Sequence, residues 1–336
     1  MKKIISFILA ISLLSLCACG KKEEGTTFPP TSVIPTKNEQ GTSLTDSPDI
    51  TQINQSTVIS DENSKASYPI DIKKSVIKGE KGGSTLSGLE PLPEITLTAT
   101  ANSKALSEQK KSHSHGPASG GEPHYTVVEF QKTFEKYGAY TLDTKSEEKV
   151  LYLTFDCGYE YENLTAKILD TLKEKQVPAA FFCTLDHIEK ETEIISRMIN
   201  EGHIVGNHSA THPSFAEIDR DKMAKELEAT ENYLRKNYGY ASKFFRFPAG
   251  EYTESALDLV ASLGYVSVFW SVAYNDWNVN EIKGKDYAVN TVMSRLHNGA
   301  IILLHSVSKD NAEALGEIID RARAEGYEFK ALTELI

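Results

Sequence analysis

Aromatic residues are nearly absent from the first third of this 336-residue chain. Of its 13 Phe, 15 Tyr and 2 Trp, Phe7 lies in the first segment, and only Phe28 and Tyr68 fall between there and residue 121. The other 27 lie from residue 122 onward. Ordering a chain needs apolar surface to offset lost entropy, so the core belongs to roughly the last 215 residues, enough for one domain with a large interior. Cysteine is scarce: 4 in the whole chain, too few for a disulfide scaffold. No apolar run approaches the about 20 residues of a membrane-spanning helix. A basic excess is also lacking. The net charge of −11 argues against a nucleic-acid partner, which selects a positive field.

Met1-Lys2-Lys3 is a short basic start, followed by an apolar run over residues 4–16 and by Leu16-Cys17-Ala18-Cys19-Gly20. This resembles a bacterial lipobox, with Ala18 as the small residue before a modified Cys19. Cys17 fits poorly, because Leu16 would take the small-residue position. An ordinary signal peptide cleaved nearby is the alternative. The lipobox makes residues 1–18 a lipoprotein signal and implies a chain anchored to the membrane through Cys19 on its outer side. Residues 19–121 are rich in Ser, Thr, Pro, Gly, Asn, Lys and Glu and hold no sustained period of 3.6 or 2. They read as a flexible, disordered tether with a reach of roughly 50–60 Å; a small separate module is the alternative. His113-Ser114-His115 falls in this polar stretch and reads as linker rather than a metal site, with residues 114–125 the first to pack onto the domain.

From residue 122, and clearly from about 148, apolar runs alternate with helical periodicity. Val150-Leu151-Tyr152-Leu153-Thr154-Phe155 is a buried strand ending at Asp156. Leu164, Ile168, Leu169 and Leu172 follow at helical spacing. Strands at 179–183 and 203–206 flank a helix carrying Ile194, Ile195 and Met198. Asp219 looks like the cap of a long charged helix. A brief strand at 244–245, a helix around Leu257, a strand at 266–269, a helix over 286–296, a strand at 300–304, a helix over 310–325 and a last strand near 327–329 complete the series. Such alternation means an α/β fold with a parallel sheet and helices outside. Polar residues at strand ends, namely Asp156, His208 and His305, suggest a barrel with its active face there.

Five places carry chemistry. Thr154-Phe155-Asp156-Cys157-Gly158 sets a carboxylate at a strand end, where a helix cap would be the bland alternative. His208 and His212, four apart, reach one face of a turn and can share a metal, although surface histidines show the same spacing. Arg246-Phe247-Pro248-Ala249-Gly250 offers a guanidinium and a stiff turn with backbone N–H groups. Asn275-Asp276-Trp277 follows Phe269-Trp270-Ser271-Val272. His305 closes the apolar strand through Leu303-Leu304.

Together, in this order, the five resemble the polysaccharide deacetylases of carbohydrate esterase family 4, the NodB-type domain. The resemblance covers about residues 148–336 and implies a deformed (β/α) barrel that removes N-acetyl groups from amino sugars with a divalent metal. It assigns metal binding to His208 and His212, the general base to Asp156 and the general acid to His305. Arg246 would hold Asp156, Asp276 would orient His305, and the Ala249 N–H would face the oxyanion. Pro248 and Trp277 would line the substrate groove. The partner implied is the glycan strand, with no protein partner.

One position departs from the family pattern: Cys157 stands where the family has its second metal-binding Asp. A thiolate there would favour zinc; otherwise Cys157 lies close by without ligating. Cys183 reads as a core cysteine on the next strand, and a Cys157–Cys183 disulfide would need Cα atoms within about 7 Å. Asp156-Cys157-Gly158-Tyr159-Glu160, Trp270-Ser271-Val272-Ala273-Tyr274 and the run from His305 to Ala314 are similar to the delta-lactam-biosynthetic de-N-acetylases, a group that also departs from Asp at this position. That likeness implies N-acetylmuramic acid of spore-cortex peptidoglycan as substrate. Its lactyl group needs a partner: Arg246 is occupied by Asp156, although a guanidinium can face two oxyanions, and Lys309, near His305 in sequence, is a weaker candidate. A glucosamine deacetylase of vegetative wall and an inactive wall-binding lipoprotein are the competing readings.

Overall fold

The computed structural model describes residues 76–336. The signal segment, Cys19 and the first part of the expected tether lie outside the described residues. In chain order the elements are β1 (Val76–Lys78), β2 (Lys111–Ser112), α1 (Tyr125–Phe134), β3 (Val150–Cys157), α2 (Leu164–Lys175), β4 (Ala180–Cys183), α3 (Leu185–Lys190), α4 (Thr192–Asn200), β5 (Ile204–Asn207), α5 (Arg220–Tyr238), β6 (Tyr240–Ser242), β7 (Phe244–Phe245), β8 (Glu251–Tyr252), α6 (Glu254–Ser262), β9 (Val266–Ser267), α7 (Lys285–Met293), β10 (Ala300–His305), α8 (Lys309–Ala324) and β11 (Glu328–Phe329).

The main sheet runs β10-β3-β4-β5-β7-β9, every pair parallel, with β11 also parallel to β3. Beyond β9, Tyr140 bridges Val268 and Val272 bridges Ile302. Irregular segments therefore carry the curled sheet round toward β10, giving the deformed barrel expected from the sequence.

Strand β3 is buried on both faces, as a parallel strand under helices must be. Leu151, Leu153 and Phe155 join the outer core with Ile168, Leu169 and Leu172 of α2. Val150 and Tyr152 point the other way, into an inner core with Phe182, Ile204 and Phe244. This alternation puts Asp156 on the inner side and Cys157 on the outer. The Asp219 carboxylate accepts from the Lys222 N–H at 2.7 Å, capping α5 as the sequence indicates. The helix expected over 286–296 ends at Met293.

The tether expectation fails for residues 76–121, which pack onto the domain. β1 pairs antiparallel with β6, and β2 with β8. Between them the Asn232 amide accepts from the Ile95 N–H and donates to the Ile95 carbonyl, each at 2.8 Å, and Arg235 donates to the Pro93 carbonyl at 3.0 Å. The segment has little core of its own. Its backbone is satisfied by strand edges and polar side chains of the distant domain, so the domain reaches back to at least residue 76 rather than 122.

Candidate active site

The carboxyl ends of the parallel strands open into a cavity of about 1150 Å³, and Asp156, His208, His212, Ala249, Trp277 and His305 all line it. Asp156 is the penultimate residue of β3, His208 follows β5, and His305 ends β10 beside Asp156 in register.

Arg246 lies beneath this floor with no exposed surface. Its Nη1 donates to Asp156 Oδ1 at 2.8 Å. Its Nε donates to the Val268 carbonyl at 2.9 Å, and Nη2 to Thr154 Oγ1 at 2.9 Å and the Phe269 carbonyl at 3.2 Å. The guanidinium also lies 4.2 Å from the centre of the Phe182 ring. Gly206 makes room for that ring, because a Cβ there would sit 2.6 Å from it. Burial by itself would raise the pKa of Asp156. The charge of Arg246 is the first influence to oppose this and, with the neighbouring imidazoles, holds the carboxyl below its ordinary value.

His208 donates from Nδ1 to the Arg246 carbonyl at 2.9 Å, which turns Nε2 toward Asp156 Oδ2, 3.6 Å away. Burial lowers the pKa of His208 to about 4, so the ring is neutral and Nε2 keeps its lone pair. The His212 ring lies 4.8 Å from the His208 ring, edge-on, on a residue with φ of 57°. Two imidazoles, one fixed in tautomer by a backbone carbonyl, beside a carboxylate form a donor set that fits a divalent cation.

Across the cavity, His305 Nδ1 donates to Asp276 Oδ1 at 2.7 Å. Asp276 is fixed in turn by the His305 N–H at 2.8 Å and the Asn311 amide at 2.6 Å, both on Oδ2. Tyr274 holds Asn311 through its hydroxyl at 2.5 Å. Burial would depress the His305 pKa, but the charge and hydrogen bond of Asp276 overcome it, and the imidazole is pushed above its ordinary value. One carboxyl biased to the base form and one imidazole biased to the acid form thus share a single cavity.

Three expectations need correction or addition. Cys157 does not line the cavity. The pleat of β3 sends its side chain into the outer core with Phe155 and Phe181, so it is not placed to ligate a metal held by His208 and His212. Pro248 is buried and also absent from the lining; it stiffens the turn that presents Ala249, whose φ of 54° lies in the left-handed region. The lining includes groups that motif reading passed over. His113 and His115 come from the segment read as tether, and Lys283 and Arg295 lie just before and just after α7. Lys309 is not in the lining, and the donors of Arg246 are already engaged as described. No periodic signal marks residues 111–115, because β2 is only two residues long.

Residues 143–268 match the family model described as polysaccharide deacetylase. Peptidoglycan-N-acetylmuramic acid deacetylase PdaA of Bacillus subtilis is 40% identical over 228 residues, 68% of this chain and 84% of that protein. The peptidoglycan-N-acetylglucosamine deacetylase of Bacillus cereus is 36% identical over 207 residues, 60% of this chain and 73% of that protein. Among solved structures, that of Bacillus subtilis PdaA, a family 4 carbohydrate esterase, matches with a TM-score of 0.66 and 38% identity over 68% of this chain and 98% of that one.

Proposed function

The chain belongs to the polysaccharide deacetylase family and is a peptidoglycan deacetylase, and from that premise we propose that it hydrolyses the acetamide of N-acetylmuramic residues. Asp156, held as carboxylate by Arg246, takes the proton of the hydrolytic water. His305, held protonated by Asp276, gives its proton to the departing amine, which leaves poorly as an anion. The Ala249 N–H faces the carbonyl oxygen as it gains charge, an interaction of a few kcal/mol. Arg246 and Asp276 are positioning residues. His208 and His212 hold the cation, which we take to be zinc from the nitrogen donors; when bound it supplies Lewis acidity to water and carbonyl.

The observation that carries the muramic reading is the charge around the cavity. Muramic acid differs from glucosamine by a 3-O-lactyl group beside the reacting acetamide. Lys283 and Arg295 line the cavity. Arg295 uses one Nη to reach the Ala273 carbonyl, and the Lys283 ammonium lies 5.0 Å from the centre of the Tyr287 ring. The acidic lining residues, Asp156 and Asp186, are paired with Arg246 and Lys190. The uncommitted charge is therefore positive and suits a lactyl carboxylate. The similarity to the muramic deacetylase of Bacillus subtilis agrees with this reading. The freed amine can then close on the lactyl carboxyl, the lactam chemistry of spore cortex. The lipobox at Cys19 supports work at the outer membrane face, next to the wall.

Mass spectrometry of muramidase digests tests the substrate. Loss of acetyl from muramic residues is expected, preferentially on strands freed of stem peptide, and Arg295→Ala should lower the muramic rate more than the glucosamine rate. Loss mapping only to N-acetylglucosamine would assign the chain the activity named for the Bacillus cereus relative. No acetate release from purified wall, with or without added zinc, would leave the inactive wall binder.

A further inference from the structure

We propose that Cys157, Cys183 and His187 form a second metal site, for a thiophilic divalent ion of the zinc type, on the outer side of the sheet from the catalytic cavity. Their ligand atoms all lie within 4.8 Å of one another, and all three residues are buried. Among the described residues both thiols are free. Cys157 and Cys183 are register partners at the ends of β3 and β4, and His187 comes from the first turns of α3, which follows β4 directly.

The second observation is His187 itself. It is 1% exposed, and among the described residues neither ring nitrogen has a hydrogen-bond partner. A buried polar group left unpaired costs about 1–3 kcal/mol, and native proteins rarely leave one without cause. Both cysteine sulfurs lie within 4.8 Å of one of its ring nitrogens. Oxygen donors are missing from the trio, which excludes a hard cation such as magnesium or calcium. Two thiolates, a neutral imidazole and a divalent ion sum to zero charge, the condition for placing ions in an apolar core. Zinc bonds of about 2.3 Å to sulfur and 2.0–2.1 Å to nitrogen would draw the three side chains together by small torsional adjustments. A Cys157–Cys183 disulfide would use the thiols but leave His187 unpaired.

The site differs from the catalytic donor pair in residues and in sheet face. Its ion would tie the ends of β3 and β4 to α3, one residue from Asp156, and so act as a structural clamp. The inference stands apart from the catalytic reading, because His208→Ala removes the inner donor pair and leaves the sulfur site intact.

The test is zinc stoichiometry and zinc-edge X-ray absorption on the purified full chain. Wild type should retain one more equivalent of zinc than Cys183→Ala or His187→Ala. Sulfur scatterers near about 2.3 Å should appear in wild type and in His208→Ala, and vanish in Cys183→Ala. Zinc-loaded wild type should also melt higher than the Cys183→Ala protein by several degrees. If a variant does not fold, cadmium-113 resonance of the wild-type protein decides, a thiolate-range shift supporting the site. Only nitrogen and oxygen scatterers in wild type would overturn it, as would a wild-type mass and thiol titration showing a Cys157–Cys183 disulfide.

Discussion

Arg246 reaches Asp156 with one nitrogen, at 2.8 Å on Oδ1, and spends its remaining donors on the protein beneath. The guanidinium is therefore part of the scaffold as much as of the site, and the carboxylate it holds keeps Oδ2 turned toward His208. Asp156→Asn keeps the shape but cannot accept a proton, so turnover should fall by at least about 10²-fold with zinc still bound. Turnover at the wild-type rate would remove Asp156 from the chemistry. Arg246→Ala should instead cost folding, about 3–5 kcal/mol in urea titration, because it leaves the largely buried Asp156 carboxylate without its guanidinium. The folded-state pKa of Asp156 is depressed, so its stabilising share is present above the unfolded carboxyl value of about 3.9 and lost as pH falls through the lower native value. Wild-type urea midpoints should decline across that acidic window.

Zinc retention at the inner site should depend on His208 and His212. His208 has its tautomer fixed by the Arg246 carbonyl, and changes to such supporting contacts alone cost 10–100-fold in affinity. His208→Ala removes the ligand itself and should lose more than about 100-fold, together with activity. Competition against a chelator of known affinity measures it; an unchanged constant at the nitrogen-coordinated ion would reject the assignment.

In the proposed mechanism His305 is protonated to serve the leaving amine, and Asp276 raises its pKa. The descending limb of kcat/KM should therefore lie above the free imidazole value of about 6.5, and activity should fall as pH rises through it. Asp276→Asn takes away the charge while Asn can still accept a hydrogen bond. Its limb should move to lower pH, with the loss greatest in alkaline buffer and smaller on substrates with better leaving groups. A limb that stays in place would mean that Asp276 does not set the proton on His305.

The candidate catalytic face was legible because strand and chemistry coincide in the chain. An apolar run that stops at Asp156 or His305 marks both a buried strand and its functional end, and Asp219 announces α5 by the same local logic of caps. What escaped reading depends on distant pairing or on which way a side chain points. β1 and β2 are short strands whose partners lie over a hundred residues away, so no local period betrays them. Cys157 shares a motif with Asp156, yet one step along a pleated strand turns it to the other face. The lining by Lys283 and Arg295 arises from loop and helix placement around α7, for which no motif exists.

The segment joining β1 to α1 gives the last expectation. His113 is 3% exposed; its ring nitrogen donates to the Trp270 carbonyl at 2.7 Å, and its backbone N–H donates to the Gly250 carbonyl at 2.9 Å. The ring packs among Phe130, Phe134, Phe269 and Trp270. It thereby braces the turn that carries Ala249 from outside the sheet. His113→Ala opens a cavity among aromatics and removes one of two hydrogen bonds to the Trp270 carbonyl, the other coming from Thr141 Oγ1 at 2.7 Å, so it should cost about 3 kcal/mol of stability and lower kcat/KM without altering zinc content. A chain beginning at residue 122 should lose the brace, β1 and β2 together, with a larger fall in urea midpoint and little deacetylase activity. A tether would behave otherwise: both proteins would match the parent in midpoint and rate.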